Sequence, residues 1–430
     1  MREGGGPTAL VIRPSVVEGT VTAPPSKSFT HRAMILGALT HSEFVLKNPL
    51  VSEDTEATLD ALHSLGADIS LSSGRLSIHC EELKSVNPLI DTRNSGTTIR
   101  LMAGVASLMP QETTFTGDES LRRRPMGGLM DALHQLGARH SYVGRDGYPP
   151  LTVTGPITGS SARIDGGTSS QFVSSLLIAC TQKAGDTRIS VDGPIASRPY
   201  IDITLHMLGE FGAQVLEEEA SFDLPGAQRL SRSSYTVPGD YSSAAFLLVA
   251  AAITGGRVTV RNLDRRSPQG DRGIVALLKA FGAEVTTTDQ SVTVSGGRLT
   301  GTDLDVRGTP DLFPILAVLG TVADGRTRIS GGENLRQKES DRIMTTTDFL
   351  SRMGATIRAT QDGCEIVGGE RLHGATISTE GDHRILMAAS VAALVSTSET
   401  VIDDDESFKV SYPGFIRDVH QIGGRMEVRK

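Results

Sequence analysis

The residues best placed to do chemistry in this 430-residue chain open one apolar stretch, V-T-A-P-P-S-K-S-F-T-H-R-A-M-I-L-G-A-L, from Val21 to Leu39. Pro24 and Pro25 bar a helix through themselves. The pattern therefore predicts a short strand, a break and a helix that begins after the prolines, capped by Ser26 or Ser28. Lys27 then sits at the helix mouth, and Ser28 and Arg32, four residues apart, share a face. Cations at the positive end of a helix dipole oppose it, whereas an anion held between them suits it. A hydroxyl, a lysine and an arginine gathered there predict an anionic ligand. The plainer alternative is a capped helix with two solvated cations.

Further polar turns carry related groups. N-S-G-T-T-I-R at 94–100 offers free backbone N–H groups and, at Gly96, room for close approach. G-G-T-S-S-Q at 166–171 sets Ser169, Ser170 and Gln171 in a row, T-P-D-L-F-P carries a lone carboxylate at Asp311, and D-H-R places Arg384 just inside a helix. Arg122, Arg123 and Arg124 precede Pro125, and three adjacent cations are ordinarily a solvated surface. In N-L-R-Q-K-E-S-D-R at 334–342, Lys338 and Arg342 are expected on one helix face, their repulsion offset by Glu339 and Asp341. Ser197-Arg198-Pro199-Tyr200 sets a hydroxyl and a ring beside a turn.

The elements that must hold these residues form an internal repeat. Polar turns marked at Lys27, Ser95, Ser169, Ser242, Asp311 and Asp382 each lead into a helix of small apolar residues, at spacings of 68, 74, 73, 69 and 71. Those helices are apolar nearly all round and should be buried. A second mark keeps step: a further helix ends in a large apolar residue before Gly66, Gly137, Gly212, Gly282, Gly354 and Gly423. Glycine there supplies the left-handed residue that ends a helix. One such unit can hardly bury its own helix, whereas three packed together can. An α/β (α+β) fold of two similar three-repeat domains follows, 20–238 and 1–19 with 239–430. The segment T-A-L-V-I-R-P-S has no repeat of its own and is expected to complete the sheet of the last one.

Composition narrows the function. A net charge of -8 argues against a general nucleic-acid binder, though an anionic small ligand needs only a local cluster of cations. Cys80, Cys180 and Cys364 are far apart and read as reduced thiols. M-R-E-G-G-G-P-T has no apolar signal core, and no apolar run is long enough for a bilayer, so a cytoplasmic protein is expected. There is no phosphate-binding GxxxxGK[ST] loop, no dinucleotide fingerprint, no GxSxG and no HExxH, and the histidines do not gather at metal-ligand spacing. No cofactor and no metal are expected.

Taken together, P-P-S-K-S-F-T-H-R-A at 24–33, N-S-G-T at 94–97, R-R-P-M at 123–126, S-S-Q at 169–171, S-R-P-Y at 197–200, K-E-S-D-R at 338–342 and D-H-R at 382–384 resemble the 5-enolpyruvylshikimate-3-phosphate synthases over nearly the whole chain. The resemblance implies two domains of three βαβαββ-like repeats with the active site in the cleft between them. It also implies transfer of the enolpyruvyl group of phosphoenolpyruvate to the 5-hydroxyl of 3-phosphoshikimate, on the route to chorismate and the aromatic amino acids. Carried over residue by residue, it puts Lys27, Ser28, Arg32, Ser169, Ser170, Gln171, Ser197, Tyr200, Asp311, Asn334 and Lys338 on 3-phosphoshikimate. Lys27, Gly96, Arg124, Gln171, Arg342 and Arg384 go to phosphoenolpyruvate, and Asp311, Glu339 and Lys27 become the catalytic groups. Domain closure would gather them. The reaction is addition then elimination, so it needs a base for the hydroxyl and a group that both gives and takes a proton at the methylene. Asp311 suits the first role and Glu339 with Lys27 the second.

Two departures stand out. D-H-R is followed by I-L-M-A where many relatives read M-A-M-A, a core change. Near the C-terminus, K-V-S-Y-P places Val410 where many relatives carry a phosphoenolpyruvate lysine, with Lys409 one residue early, so Lys409 receives no role. Two other readings compete. A UDP-N-acetylglucosamine enolpyruvyl transferase commonly uses a reactive loop cysteine, and none of the three cysteines lies near Arg124. A non-catalytic anion-binding repeat protein would gain nothing from Asp311 and Glu339, since carboxylates inside an anion site weaken binding. The expected partners are the two small substrates, with neither nucleic acid nor membrane, and a monomer is expected.

Overall fold

The computed structural model describes residues 8–429, so the first seven residues, read above as lacking an apolar signal core, lie outside the described residues. The described residues build six four-stranded sheets of one pattern. In each, an edge strand runs parallel to its neighbour and the next two pairings are antiparallel, as in Ser161–Asp165, Thr187–Asp192, Ser221–Leu224 and Leu216–Glu218. A helix crosses between the parallel strands, as such a connection requires. Here it is Ser170–Gln182, and Pro199–Glu210 follows the second strand, giving the β-α-β-α-β-β order.

The chain divides into two compact units, 25–238 and 1–24 with 239–430. In the first, strand Ser234–Thr236 returns to complete the sheet of the first repeat beside Phe44–Lys47. In the second, Ala9–Arg13 inserts between Thr400–Ile402 and Arg425–Arg429, so the segment without a repeat does complete the last sheet. The expected boundary at residue 20 needs correction. Strand Glu18–Thr22 pairs along its length with Arg257–Arg261, so residues 20–24 belong with the chain ends even though they lead directly into the Lys27 helix.

Each unit buries its own three repeat helices. Tyr241 to Ile253 are all buried, as are Phe313 to Thr321 and His383 to Ala393. Each large apolar side chain so buried contributes about 1.5–3 kcal/mol before entropy is counted. Short polar residues start most of these helices by capping: Ser95 accepts from Thr98 N, Ser169 from Gln171 N, Asp240 from Ser243 N and Asp382 from Arg384 N. The six step-keeping glycines all have φ between 87° and 101°, a region that side chains avoid, and so end their helices.

Helix packing also sets the register of the polar mouths. Helices Gly96–Ala106 and Ser170–Gln182 touch where Gly104 has no side chain, since a Cβ there would lie 2.3 Å from Ser175 Oγ. Ser175 Oγ donates to Arg100 O at 2.7 Å. That register sets the start of one helix beside the start of the other.

Candidate active site

In the 25–238 unit, side chains tie the helix mouths together. Ser26 precedes the first turn of Lys27–Ala38, but its hydroxyl makes no cap bond; its N–H donates to Pro238 O at 2.8 Å. Lys27 Nζ donates to Asp54 Oδ2 at 2.6 Å. Burial pushes the Asp54 carboxyl up, but the charges of Lys27 and His31 and hydrogen bonds from Lys27 and Ser95 outweigh it and hold it below the usual carboxylate range.

Arg32 is not a solvated cation. It is 1% exposed, and its Nε donates to Thr204 Oγ1 at 2.7 Å. Nη1 donates to Ser28 O at 3.0 Å, and Nη2 to Tyr200 O at 3.0 Å. Burial lowers its pKa to about 10, opposed by Tyr200, which leaves it cationic at neutral pH.

Of the three adjacent arginines, Arg122 and Arg123 face solvent and Arg124 is buried. Arg124 Nη2 donates to Asn94 Oδ1 and, at 3.4 Å, to Ser120 Oγ. A Cβ on Gly96 would lie 3.0 Å from Arg124 Nη1, so the missing side chain makes room for this guanidinium. Gln171 joins two mouths: its Nε2 donates to Thr97 Oγ1 at 2.8 Å, and its Oε1 accepts from Arg100 Nη1 at 2.7 Å. Ser170 and Ser197 are buried, and Ser197 sits at φ 55°, a backbone conformation rare for a side-chain-bearing residue. Tyr200 is half-buried at the start of Pro199–Glu210.

In the second unit, one arginine gathers three carboxylates. Arg342, 1% exposed, donates from Nη1 to Asp311 Oδ1 at 2.9 Å, from Nη2 to Glu339 Oε2 at 2.6 Å and from Nε to Asp382 Oδ2 at 2.8 Å. Burial alone would lower the Arg342 pKa, but Asp382, Glu339 and Asp311 together raise it well above its ordinary value. Arg384 Nη2 donates to the other oxygen of Asp311 at 2.8 Å. Asp311 is thus held by two guanidiniums, one on each oxygen, with Glu339 on the same arginine.

The run 334–342 is not one helix, contrary to expectation. Glu333–Gln337 is a 3-10 turn, Lys338 is extended at ψ -157°, and the helix begins at Arg342 behind the cap of Asp341. Lys338 and Arg342 therefore share no helix face, and Arg342 is freed to turn inward. Asn334 lies in the turn and Lys338 just after it, both half-buried. Lys409 is 46% exposed and pairs with Glu406 at 3.0 Å.

The profile of the EPSP synthase (3-phosphoshikimate 1-carboxyvinyltransferase) family matches residues 11–419. This chain belongs to that family. It is 44% identical to the 3-phosphoshikimate 1-carboxyvinyltransferase of Methanocorpusculum labreanum over 420 residues, covering 97% of this chain and 99% of the relative. It is 45% identical to the enzyme of that name from Methanothrix thermoacetophila over 416 residues, covering 96% and 97%. A solved EPSP synthase from Acinetobacter baumannii superposes with a TM-score of 0.84 at 31% identity, covering 98% of this chain and all of that one.

The residues that carried the resemblance thus fall into two clusters, one per unit. Sequence reasoning missed Asp54, Asn94, Thr97, Arg100 and Asp382 as their partners. Asn94, Thr97, Arg100 and Asp382 lie inside the motifs already singled out and were legible there as polar neighbours. Asp54, at the second residue of helix Glu53–Ser64, carried no signal beyond its charge. Among the described residues no helix is long and apolar enough to cross a membrane.

Proposed function

We infer that this enzyme transfers the enolpyruvyl group of phosphoenolpyruvate to the 5-hydroxyl of 3-phosphoshikimate and releases phosphate. The observation that carries the reading is Asp311, a carboxylate gripped on both oxygens by Arg342 and Arg384, with Glu339 on the same arginine. A site built only to bind anions gains nothing from two acids among its arginines, whereas proton transfer needs them. The acceptor follows from family membership across residues 11–419, and nothing favours a UDP-sugar acceptor.

In this reading Asp311 takes the proton of the attacking hydroxyl. Glu339, with Lys27, gives a proton to the enol methylene in addition and recovers one in elimination. Lys27, Ser28, Arg32, Ser169, Ser170, Gln171, Ser197 and Tyr200 bind 3-phosphoshikimate from one unit, and Asp311, Asn334 and Lys338 from the other. Gly96, Arg124 and Gln171, with Arg342 and Arg384, surround phosphoenolpyruvate, whose carboxylate and phosphate suit bidentate guanidinium pairing. Arginines already oriented by hydrogen bonds need little reorganisation as charge develops. We place the enzyme in the cytoplasm as a monomer.

The test is phosphate release from phosphoenolpyruvate with 3-phosphoshikimate or UDP-N-acetylglucosamine as acceptor. Release with the first alone is expected, and release only with the second would move the enzyme to the sister activity. Asp311→Ala should keep 3-phosphoshikimate binding and lose most turnover. Undiminished turnover in that variant would remove Asp311 from the mechanism.

A further inference from the structure

The Gln171 side chain lies between an arginine and a threonine, and that pairing fixes which way round its amide sits. Arg100 Nη1 stands 2.7 Å from Gln171 Oε1, and Gln171 Nε2 stands 2.8 Å from Thr97 Oγ1. The oxygen and nitrogen of an amide have nearly the same shape, so their hydrogen-bond partners decide between the two orientations. A guanidinium has five N–H donors and no acceptor. The end of the amide facing Arg100 is therefore the oxygen, and the end facing Thr97 is the nitrogen. Thr97 must accept from Gln171, so its own hydroxyl proton is not spent there. One of the two Nε2 protons is left over as well. Neither proton meets a further acceptor among the described residues, and both side chains are half-buried rather than sealed in the core.

Arg100 is itself held against the mouth that carries Gln171. It lies one turn past Gly96 on helix Gly96–Ala106, and its carbonyl accepts from Ser175 Oγ at 2.7 Å. Its guanidinium carbon sits 5.4 Å from the centre of the buried Phe172 ring, a cation–aromatic contact. Nη1 also lies 3.4 Å from Ser169 Oγ, the hydroxyl that accepts from Gln171 N. One guanidinium thus meets Ser169, Gln171 and Phe172. Arg124 stands close by: a Cβ on Gly96 would lie 3.0 Å from Arg124 Nη1 and 3.8 Å from Arg100 Nη1.

We propose that Arg100 is a positioning residue that sets the polarity of the Gln171–Thr97 pair. It occupies the amide oxygen, so that Gln171 Nε2 and the Thr97 hydroxyl both offer protons to a bound anion. A flipped amide would present a lone pair to that anion instead and repel it. Thr97 follows Gly96 in the chain and becomes a further donor to phosphoenolpyruvate, while Arg100 acts through Gln171 rather than on the substrate. The proposal rests on the role given to Gln171 above.

Steady-state kinetics of the full-length enzyme with 3-phosphoshikimate saturating test it. Arg100→Met removes the donor and keeps the length, and kcat/KM for phosphoenolpyruvate should fall about tenfold, mostly through KM. Arg100→Lys keeps a donor for Oε1 and should stay within about threefold of the parent. The deciding variant is Arg100→Met in a Gln171→Ala background, where no amide remains to be oriented. The loss caused by Arg100→Met should there shrink below about twofold, because coupled residues are not additive. An undiminished loss would mean that Arg100 acts on the substrate or on the fold directly and would overturn the proposal. Gln171→Glu still accepts from Arg100 but gives no proton, so KM for phosphoenolpyruvate should rise at least about tenfold. A parent-like KM in that variant would overturn the donor polarity. Thr97→Val should raise the same KM about fivefold and Thr97→Ser should restore it. An unchanged KM in Thr97→Val, or no recovery in Thr97→Ser, would overturn the place of Thr97. Parent-like kinetics in Gln171→Ala alone would overturn the role of Gln171 and this proposal with it, an outcome set apart because it involves neither Arg100 nor Thr97.

Discussion

Arg342 and Asp382 stand 2.8 Å apart, Nε to Oδ2, and both are buried. Each begins a helix: Arg342 opens Arg342–Arg352, and Asp382 caps His383–Ala393 through its other oxygen, 2.9 Å from Arg384 N. One carboxylate therefore orients both arginines that hold Asp311. Asp382→Asn keeps a cap acceptor but removes the charge facing Arg342. Turnover should fall at least about tenfold, and removal of one partner from this buried set should destabilise the enzyme by about 3 kcal/mol. Asp341→Asn is the contrast. Asp341 caps the same helix through Met344 N and faces Arg336, so the amide keeps the cap, only the part-exposed ion pair is lost, and the cost should be below about 1 kcal/mol with kcat unchanged. Steady-state kinetics and urea unfolding of the two variants decide it, and equal kcat values would refute the orienting role of Asp382.

Gly96 leaves room for Arg124. A methyl group at 3.0 Å from Nη1 forces the guanidinium to shift, and Arg124 is also held by Asn94 and Ser120. Gly96→Ala should raise the KM for phosphoenolpyruvate roughly tenfold, equivalent to about 1.4 kcal/mol, and leave the KM for 3-phosphoshikimate near its parent value. Raised KM values for both substrates would place Gly96 in the general framework rather than beside one ligand.

Much of the architecture was legible because it is written in periodic marks. The step-keeping glycines announce left-handed helix ends, and all six have positive φ. The apolar repeat helices announce burial on every face. What escaped is what only three dimensions bring together. Arg32 looks like a helix-mouth cation in sequence, yet it turns inward to Thr204 and Tyr200, far along the chain. Strand Glu18–Thr22 leads straight into the Lys27 helix but pairs with Arg257–Arg261, because sheet partners are set by register rather than by adjacency. Lys338 interrupts a run that charge spacing alone reads as one helix.

Arg32 yields a stability prediction of its own. Its guanidinium spans Thr204 Oγ1, Ser28 O and Tyr200 O from three nitrogens. A lysine ammonium is a single point and cannot span them. Arg32→Lys should leave at least one buried acceptor unsatisfied and lower stability by about 1–3 kcal/mol in urea unfolding. It should also weaken 3-phosphoshikimate binding. A variant as stable as the parent would show that these three contacts carry no weight in the fold.

Asp271 supplies the pH dependence. It is 1% exposed, its Oδ2 accepts from Ser242 Oγ, and its Oδ1 is buried without a partner. Burial, then the charge of Asp311 and also that of Asp240, raise its pKa to about 7, against Arg384 and the Ser242 hydrogen bond. A carboxyl whose pKa is raised by folding binds its proton more tightly in the folded chain. Its contribution is fully present below about pH 4, the unfolded value, and is lost as pH rises through about 7. Asp271→Asn, neutral throughout, removes that dependence. The variant should match the parent near pH 4 and become the more stable of the two by pH 8, by up to about 4 kcal/mol. Urea unfolding of both proteins across pH 4 to 8 measures the difference. A stability gap that does not change with pH over that window would mean that Asp271 is ionised throughout, its charge matched within the fold.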